Sequence, residues 1–120
     1  IVRITGDNPL VSGTLIRIVI DFHIRGSFEF TSTRLINNKS IIRYTPKGLS
    51  VDIISKSAFQ KVNEDELDEY QKEHVIPVFY NSNFKVGIYK DDFEENCINY
   101  SYSIDSDDDY QLIKKMIENG

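Results

Sequence analysis

Two aspartates, Asp7 and Asp105, have the residue type and the position that divalent-metal chemistry needs. Each follows a stretch typical of a β-strand, since Asp7 comes after IVRITG and Asp105 after INYSYSI. Ligands of an open α/β sheet bind at the carboxyl ends of its strands, so both side chains are expected at that edge. Two convergent carboxylates can hold Mg²⁺, which prefers oxygen ligands and keeps waters and phosphates in its other positions. The alternative is local, because aspartate is also common in turns and helix caps.

Histidine supplies the other candidate chemistry. His74 lies beside Glu73 in KEHVIP, although a lone histidine is more often structural than catalytic. His23 falls late in the first predicted helix and is expected at the surface or partly buried. The order of the residues supports no Ser-His-Asp set, and the six glycines are scattered rather than gathered in a phosphate-binding loop. No catalytic residue is therefore assigned.

The composition indicates one folded domain and limits its partners. At 120 residues, 40% of them hydrophobic and 28% charged, the chain can enclose one hydrophobic core. The net charge of −5 argues against nucleic acid, whose phosphates need clustered Lys and Arg. Cys97 is the single cysteine, so it forms no internal disulfide and is expected to be a small buried hydrophobe. No apolar stretch spans a bilayer and no signal peptide is visible, so no membrane is expected and the cytoplasm is the expected compartment.

The start of the chain predicts a β-α-β unit. Residues 1–4 are typical of a strand buried on both faces, and Ser12 is expected to cap a helix that ends near Arg25, with Gly26 as its stop. Residues 27–32 alternate apolar and polar side chains, as a second strand would. Strand, helix and strand in this order predict a right-handed crossover.

The rest of the chain predicts further elements around the same sheet. Residues 33–40 are polar and are expected to form an exposed loop. Strands are expected over residues 49–54, 84–89 and 98–104, and a short strand within 41–48 is expected to enter a turn at Pro46 and Gly48. Helices are expected over 55–62, over 66–80 with a break at Pro77, and after Ser106. Together these elements predict an α/β fold with a mixed, mainly parallel sheet flanked by helices.

Five sequence blocks, taken in order, resemble successive blocks of one family. They read VRITGDNPLV (2–11), PKGLSVDII (46–54), EHVIPVFY (73–80), FKVGIY (84–89) and YSIDSDDDYQLI (102–113). In this order they resemble the cytidylyltransferase-like family of spore coat polysaccharide biosynthesis proteins, which is related to the acylneuraminate and 3-deoxy-manno-octulosonate cytidylyltransferases. The resemblance runs nearly from end to end, and the order of the five blocks makes it specific.

The resemblance implies a fold and a reaction. The fold is the C-terminal portion of a nucleotide-diphospho-sugar transferase-like (GT-A, Rossmann-like) domain, and residues 1–120 form a single domain without the family's N-terminal loop for the CTP phosphates. The implied reaction is attack of a sugar hydroxyl on the α-phosphorus of CTP, which makes a nucleotide sugar for surface polysaccharide and releases pyrophosphate. The implied partners are CTP and a sugar acceptor, and the implied cofactor is Mg²⁺. Without the phosphate loop, the chain by itself is expected to be inactive.

The resemblance also assigns roles to individual residues. Asp7 and Asp105 match the family's metal-binding acids. Glu73 and His74 match the family's E-H pair, which implies a place on the sugar side of the cleft, and Asn8 and Asp52 are further candidates for binding substrate.

The chain departs from the family pattern near the sugar pocket. Ser50 and Asp52 stand where the family has Asp and Glu, and Lys47 stands where an acid is common. Tyr102 replaces Trp, and Asp107 replaces Pro. These differences point to another acceptor sugar or to a decaying gene.

Two functions of other classes stay open beside the enzyme. One is a non-catalytic fragment whose open sheet edge is covered by self-association, so a homo-oligomer is expected. The other is an acidic protein-interaction module that shares the fold alone.

Overall fold

Short strands and helices alternate along the described part of the chain, which is residues 1–37, 40–93 and 100–120 of a computed structural model. The strands are β1 (Val2–Arg3), β2 (Phe30–Ser32), β3 (Arg34–Asn37), β4 (Ser40–Arg43), β5 (Asp52–Ile54) and β6 (Val86–Ile88). The helices are α1 (Gly13–Arg25), α2 (Lys56–Gln60), α3 (Glu69–His74) and α4 (Asp107–Glu118). Single 3₁₀ turns cover Glu64–Glu66 and Ile76–Phe79.

The main sheet has the strand order β1-β5-β2-β6. Strand β5 is antiparallel to both of its neighbours, and β2 pairs with β6 in parallel. The mixed α/β fold with flanking helices is thus confirmed, and three of the four strands run in one direction. The pairing itself is not mainly parallel, because β5 is inserted between β1 and β2. Those two strands still run the same way and are joined through α1, as a β-α-β unit requires.

A two-stranded hairpin replaces the loop expected over residues 33–40. Strands β3 and β4 pair through four residue pairs, from Arg34 opposite Arg43 to Asn37 opposite Ser40. The loop prediction was wrong because Leu35 and Ile36 lie opposite further apolar residues across the hairpin, and cross-strand apolar pairs stabilise a sheet. The hydroxyl of Tyr80 donates to the carbonyl of Arg34 and fastens β3 to the 3₁₀ turn region.

Two apolar clusters lie on the two faces of β5. Ile53 packs with Val51 and with Leu15 and Val19 of α1, which are the inward side chains of the predicted helix. Ile54 packs on the other face, together with Phe30. Because successive side chains of a strand point to opposite faces, β5 carries the core of both layers.

His23 is more deeply buried than the sequence indicated, with 8% of its surface exposed. Its Nδ1 lies 2.8 Å from Thr31 Oγ1, and its Nε2 lies 2.8 Å from Ser55 Oγ. Burial is tolerated because both ring nitrogens have a hydrogen-bond partner. The histidine therefore ties α1 to the sheet.

Two other elements differ from the sequence prediction. The helix expected over residues 66–80 is α3 alone, since Val75 has a φ of 58° and the chain then turns through Ile76–Phe79. Of the strand expected over residues 98–104, the first two lie outside the described residues, as does Cys97. Within 100–104 a single bridge joins Ser101 to Lys47. No helix in the described ranges is long and apolar enough to cross a bilayer.

Candidate functional site

A cleft of about 290 Å³ lies at the sheet edge where β1 and β2 end and β5 begins. Its walls come from the segment after β1, the β3–β4 hairpin, the turn at residues 45–50 and α3. The strand ends explain its place, because the chain leaves the sheet there and the departing segments enclose a space between them.

Asp7 lines this cleft, and Asp105 lies just outside the lining, beside the lining residue Ser103; we call this part of the cleft its rim. The buried Ser103 brings the two aspartates together, with its Oγ 3.3 Å from Asp7 Oδ2 and 3.4 Å from Asp105 Oδ1. The backbone N–H of Ile104 also donates to the carbonyl oxygen of Asp7 at 2.9 Å. A hydrogen bond from the Thr5 side chain is the main cause that lowers the pKa of Asp7 below its ordinary value. Two carboxylates thus lie within hydrogen-bond distance of one hydroxyl although 97 residues of sequence lie between them.

A glycine turn fixes the position of Asp105. Gly48 has a φ of +93°, and a Cβ on it would lie 2.4 Å from the backbone carbon of Tyr102. The N–H of Tyr102 donates to the carbonyl of Lys47 at 2.7 Å. Only glycine allows this approach, so the turn locks the segment that leads to Asp105 against the cleft.

Lys47 makes an ion pair with Asp105, with 2.7 Å between Nζ and Oδ2. Both side chains are about half exposed, at 48% and 50%. The lysine also lines the cleft. It is the residue that the sequence marked as a departure from an acidic position.

Asp52 lies at the floor of the cleft and is 2% exposed. Ser32 Oγ donates to its Oδ1 at 2.7 Å, and Arg34 Nη2 donates to its Oδ2 at 3.3 Å. Arg3 Nη1 lies 3.7 Å from the same Oδ2. Because its oxygens already accept from the protein, Asp52 holds two guanidinium groups in place rather than offering a free acceptor.

Four basic side chains line the cleft and were not singled out together by the sequence: Arg3, Arg34, Arg43 and Lys47. Asp7 and Asp52 are its acidic lining residues, so the lining carries an excess of two positive charges in a chain of net charge −5. Arg3 lies 31 residues before Arg34, and the fold brings it to the same cleft as the other three, which lie within residues 34–47. Such a concentration of cations attracts anions into a cleft.

Arg34 and Arg43 form the centre of this charge. They lie directly opposite each other in the hairpin, where like charges destabilise a pair of strands. Burial and the nearby Arg34 lower the pKa of Arg43 below its ordinary value. Among the described residues, Arg34 Nε is buried without a hydrogen-bond partner. The hairpin register could have signalled this pair, had residues 33–40 been interpreted as a strand.

Helix α3 supplies an aromatic wall. His74 lines the cleft, and its ring centroid lies 4.5 Å from that of Tyr70, which lines the cleft as well. Glu73 is 77% exposed in its side chain, sits 3.9 Å from His74 and is not among the lining residues. Asn8 is half-buried and lines the cleft next to Asp7. Of the four predicted substrate residues, three therefore reach the cleft.

The rim has the donors that Mg²⁺ needs only in part. Within residues 1–37, 40–93 and 100–120, no three His, Cys, Asp or Glu side chains cluster as a metal site. Mg²⁺ commonly uses one or two carboxylates and takes its other ligands from water and substrate phosphates. Asp7 and Asp105 could supply those carboxylates, and water and a phosphate-bearing substrate would supply the remaining ligands of the metal.

Comparison with known proteins identifies the family to which the chain belongs. The cytidylyltransferase family matches residues 1–120. An uncharacterised protein of Methanocaldococcus jannaschii is 41% identical over 80 residues, which are 67% of this chain and 29% of that protein. The solved structure of a cytidylyltransferase from Leptospira borgpetersenii serovar Hardjo-bovis aligns with a TM-score of 0.79 and 25% identity, over 99% of this chain and 48% of that one. The chain thus spans about half the length of that solved relative.

Proposed function

Because the chain belongs to the cytidylyltransferase family, we propose that its cleft binds the acceptor in the transfer of CMP from CTP to a sugar hydroxyl. The product is a nucleotide sugar for surface polysaccharide, such as that of a spore coat, made in the cytoplasm. The observation that carries the proposal is the meeting of Asp7 and Asp105 at Ser103, on the rim of a cationic cleft.

Asp7 and Asp105 would hold Mg²⁺ in this proposal. The ion would neutralise charge that develops on the transferred phosphoryl group. Ser103 keeps the two carboxylates side by side, and the low pKa of Asp7 keeps its carboxylate ionised at neutral pH. The rim therefore carries the negative charge of Asp7 before a substrate binds.

The basic side chains that line the cleft select the acceptor. Arg43 makes one weak side-chain hydrogen bond among the described residues, to Ser50 Oγ at 3.4 Å, and faces the like charge of Arg34. A carboxylate on the acceptor would relieve this repulsion and accept hydrogen bonds from the guanidinium groups. We therefore propose that the acceptor is an acidic sugar.

The remaining lining residues orient that sugar. The rings of Tyr70 and His74 present an aromatic face, and Asn8 offers an amide beside the rim. Glu73 stays outside the lining and acts through His74.

In the reaction, an oxygen of the acceptor attacks the α-phosphorus of CTP. The new O–P bond forms as the bond to pyrophosphate breaks, and the hydroxyl proton passes to water. The residues of this chain contribute by position: the arginines hold the acceptor's carboxylate, and the rim holds the phosphoryl group near the hydroxyl. Such chemistry depends on alignment and charge stabilisation rather than on a protein nucleophile.

The test compares N-acetylneuraminate with its methyl ester by isothermal titration calorimetry. The two sugars differ in one negative charge, so the acid is expected to bind at least about tenfold more tightly if guanidinium groups recognise it. Arg43→Gln is expected to remove most of that preference. The matched control is Arg17→Gln, which removes one exposed arginine on α1 and is expected to change neither affinity.

Equal affinity for the acid and its ester would contradict the acidic acceptor. Pyrophosphate release from CTP tests the reaction separately, in a protein that carries this chain together with the family's loop for the CTP phosphates: release that depends on the acid and on Mg²⁺ supports the transfer. Release that is unchanged in Asp7→Asn and in Asp105→Asn would contradict the role of the rim.

A further inference from the structure

We propose that the ammonium group of Lys47 competes with the divalent cation for Asp105, so that the metal binds by displacing a cation that the protein already carries. This inference rests on the metal role of the rim in the proposed function. It concerns a different property, which is how strongly the metal binds before any substrate is present.

The geometry places the lysine on the same carboxylate that a metal ion would use. Its Nζ lies 2.7 Å from Asp105 Oδ2, while the other oxygen, Oδ1, faces Ser103 and through it Asp7. A dication between these carboxylates would face the ammonium at close range, and two cations there repel each other.

The backbone holds the lysine in this place. The Tyr102 N–H donates to the Lys47 carbonyl, a bridge pairs Lys47 with Ser101, and Gly48 packs against the backbone of Tyr102 and Ser103. The ion pair therefore joins two segments that are already locked together, unlike a pair formed by two mobile surface chains. The side chain itself is half exposed and is free to leave Asp105 without moving the backbone.

A displaced ammonium has a second place to go. Lys47 lines the cleft, so the group released from Asp105 can meet the carboxylate or phosphate of a bound substrate. Metal binding would then favour anion binding, and anion binding would favour metal binding by the same factor. The rim would hold the metal weakly alone and firmly in the presence of substrate.

The experiment measures Mn²⁺ binding by electron paramagnetic resonance, at low ionic strength and without nucleotide or sugar. Lys47→Gln is expected to bind Mn²⁺ about fivefold more tightly than the unchanged protein. Lys47→Arg retains the charge and is expected to stay close to the unchanged protein. The control is Lys61→Gln, which removes a lysine paired with Glu29 at 2.6 Å, away from the cleft, and is expected to leave the affinity unchanged.

Asp7→Asn and Asp105→Asn separate the two possible failures. If both variants lose Mn²⁺ binding while Lys47→Gln binds no more tightly than the unchanged protein, the competition is wrong and the metal site stands. If neither variant changes the affinity, the metal role in the proposed function is wrong. If Lys47→Gln binds no Mn²⁺ at all, both ideas are contradicted. Thermal unfolding of each variant checks that the fold is retained.

Discussion

His23 joins three parts of the fold through one neutral ring. Ser55 Oγ donates to the carbonyl of Phe28 at 3.1 Å, so it accepts from Nε2–H of His23. Nδ1 is then free to accept from the hydroxyl of Thr31. The ring is a hydrogen-bond bridge that works without a charge.

The free energy of unfolding should decrease as the pH falls because of this histidine. Desolvation by burial lowers the pKa of His23 in the folded state below its ordinary 6.5. As the pH drops through 6.5, the unfolded chain takes up a proton that the folded chain does not, and the free energy of unfolding decreases. Urea unfolding at pH 7.5 and pH 5.5 measures the effect, which is expected to be smaller in His23→Gln. An equal loss of stability in the variant and the unchanged protein would contradict this assignment.

At the scale of elements, the turn at Gly48 does most to build the site. This turn joins the region after the hairpin to the segment that precedes α4. Helix α4 begins after Ser106, whose side chain accepts a hydrogen bond from the Asp109 N–H. Asp105 is placed by this junction, since the nearest strand pairing on its own segment is one bridge at Ser101. The carboxylate position thus depends on a glycine 57 residues away in the sequence.

Gly48→Ala should therefore damage both stability and the rim. A Cβ at a φ of +93° is strained and would meet the Tyr102 backbone, so the variant is expected to lose about 2 kcal/mol or more of unfolding free energy. Its Mn²⁺ affinity is expected to fall as well. Gly13→Ala is the control, because a Cβ there has open space, and it is expected to be neutral or slightly stabilising. Unchanged stability in Gly48→Ala would contradict the tight approach.

Helix signals in the sequence were reliable where they were local. Ser12 and Ser106 cap α1 and α4 through their side chains, and Gly26 ends α1, all as predicted. Strand order was harder, because the insertion of β5 between β1 and β2 depends on long-range pairing. The hairpin at β3 and β4 was missed because polar residues at its tip concealed the apolar pairs within it.

The sequence predicted the acidic part of the candidate site and not its basic part. The sequence placed Asp7 and Asp105 at a common edge, and the structure brings them together at Ser103. The arginines that line the cleft were not predictable as a group, because Arg3, Arg34 and Arg43 come from three separate strands of an acidic chain. Charges that the strand topology brings together form no local pattern in the sequence.

At the scale of the whole molecule, β1 and β6 are the two edge strands of the main sheet in the described residues. Strand β1 pairs with β5 on one side, and apolar side chains are exposed there, at 40% for Val2 in the strand and 59% for Ile1 before it. Unpaired strand edges with apolar flanks favour pairing with another chain.

Self-association through β1 is therefore expected. Light scattering after size-exclusion chromatography should give a mass that rises from monomer towards dimer with concentration. Val2→Lys is expected to shift the equilibrium to monomer, since a lysine on an edge strand opposes pairing. Ile24→Lys, which alters an exposed residue of α1, should not shift it. A constant monomer mass over the whole concentration range would contradict this expectation.

The most direct test of the site is a crystal soaked with Mn²⁺ together with N-acetylneuraminate, examined by anomalous diffraction. We expect one strong peak on the rim, coordinated by the carboxylates of both Asp7 and Asp105, with the Lys47 ammonium moved away from Asp105. A map with no peak at this rim, or with its peak on other residues, would contradict the shared metal site and the reaction built on it.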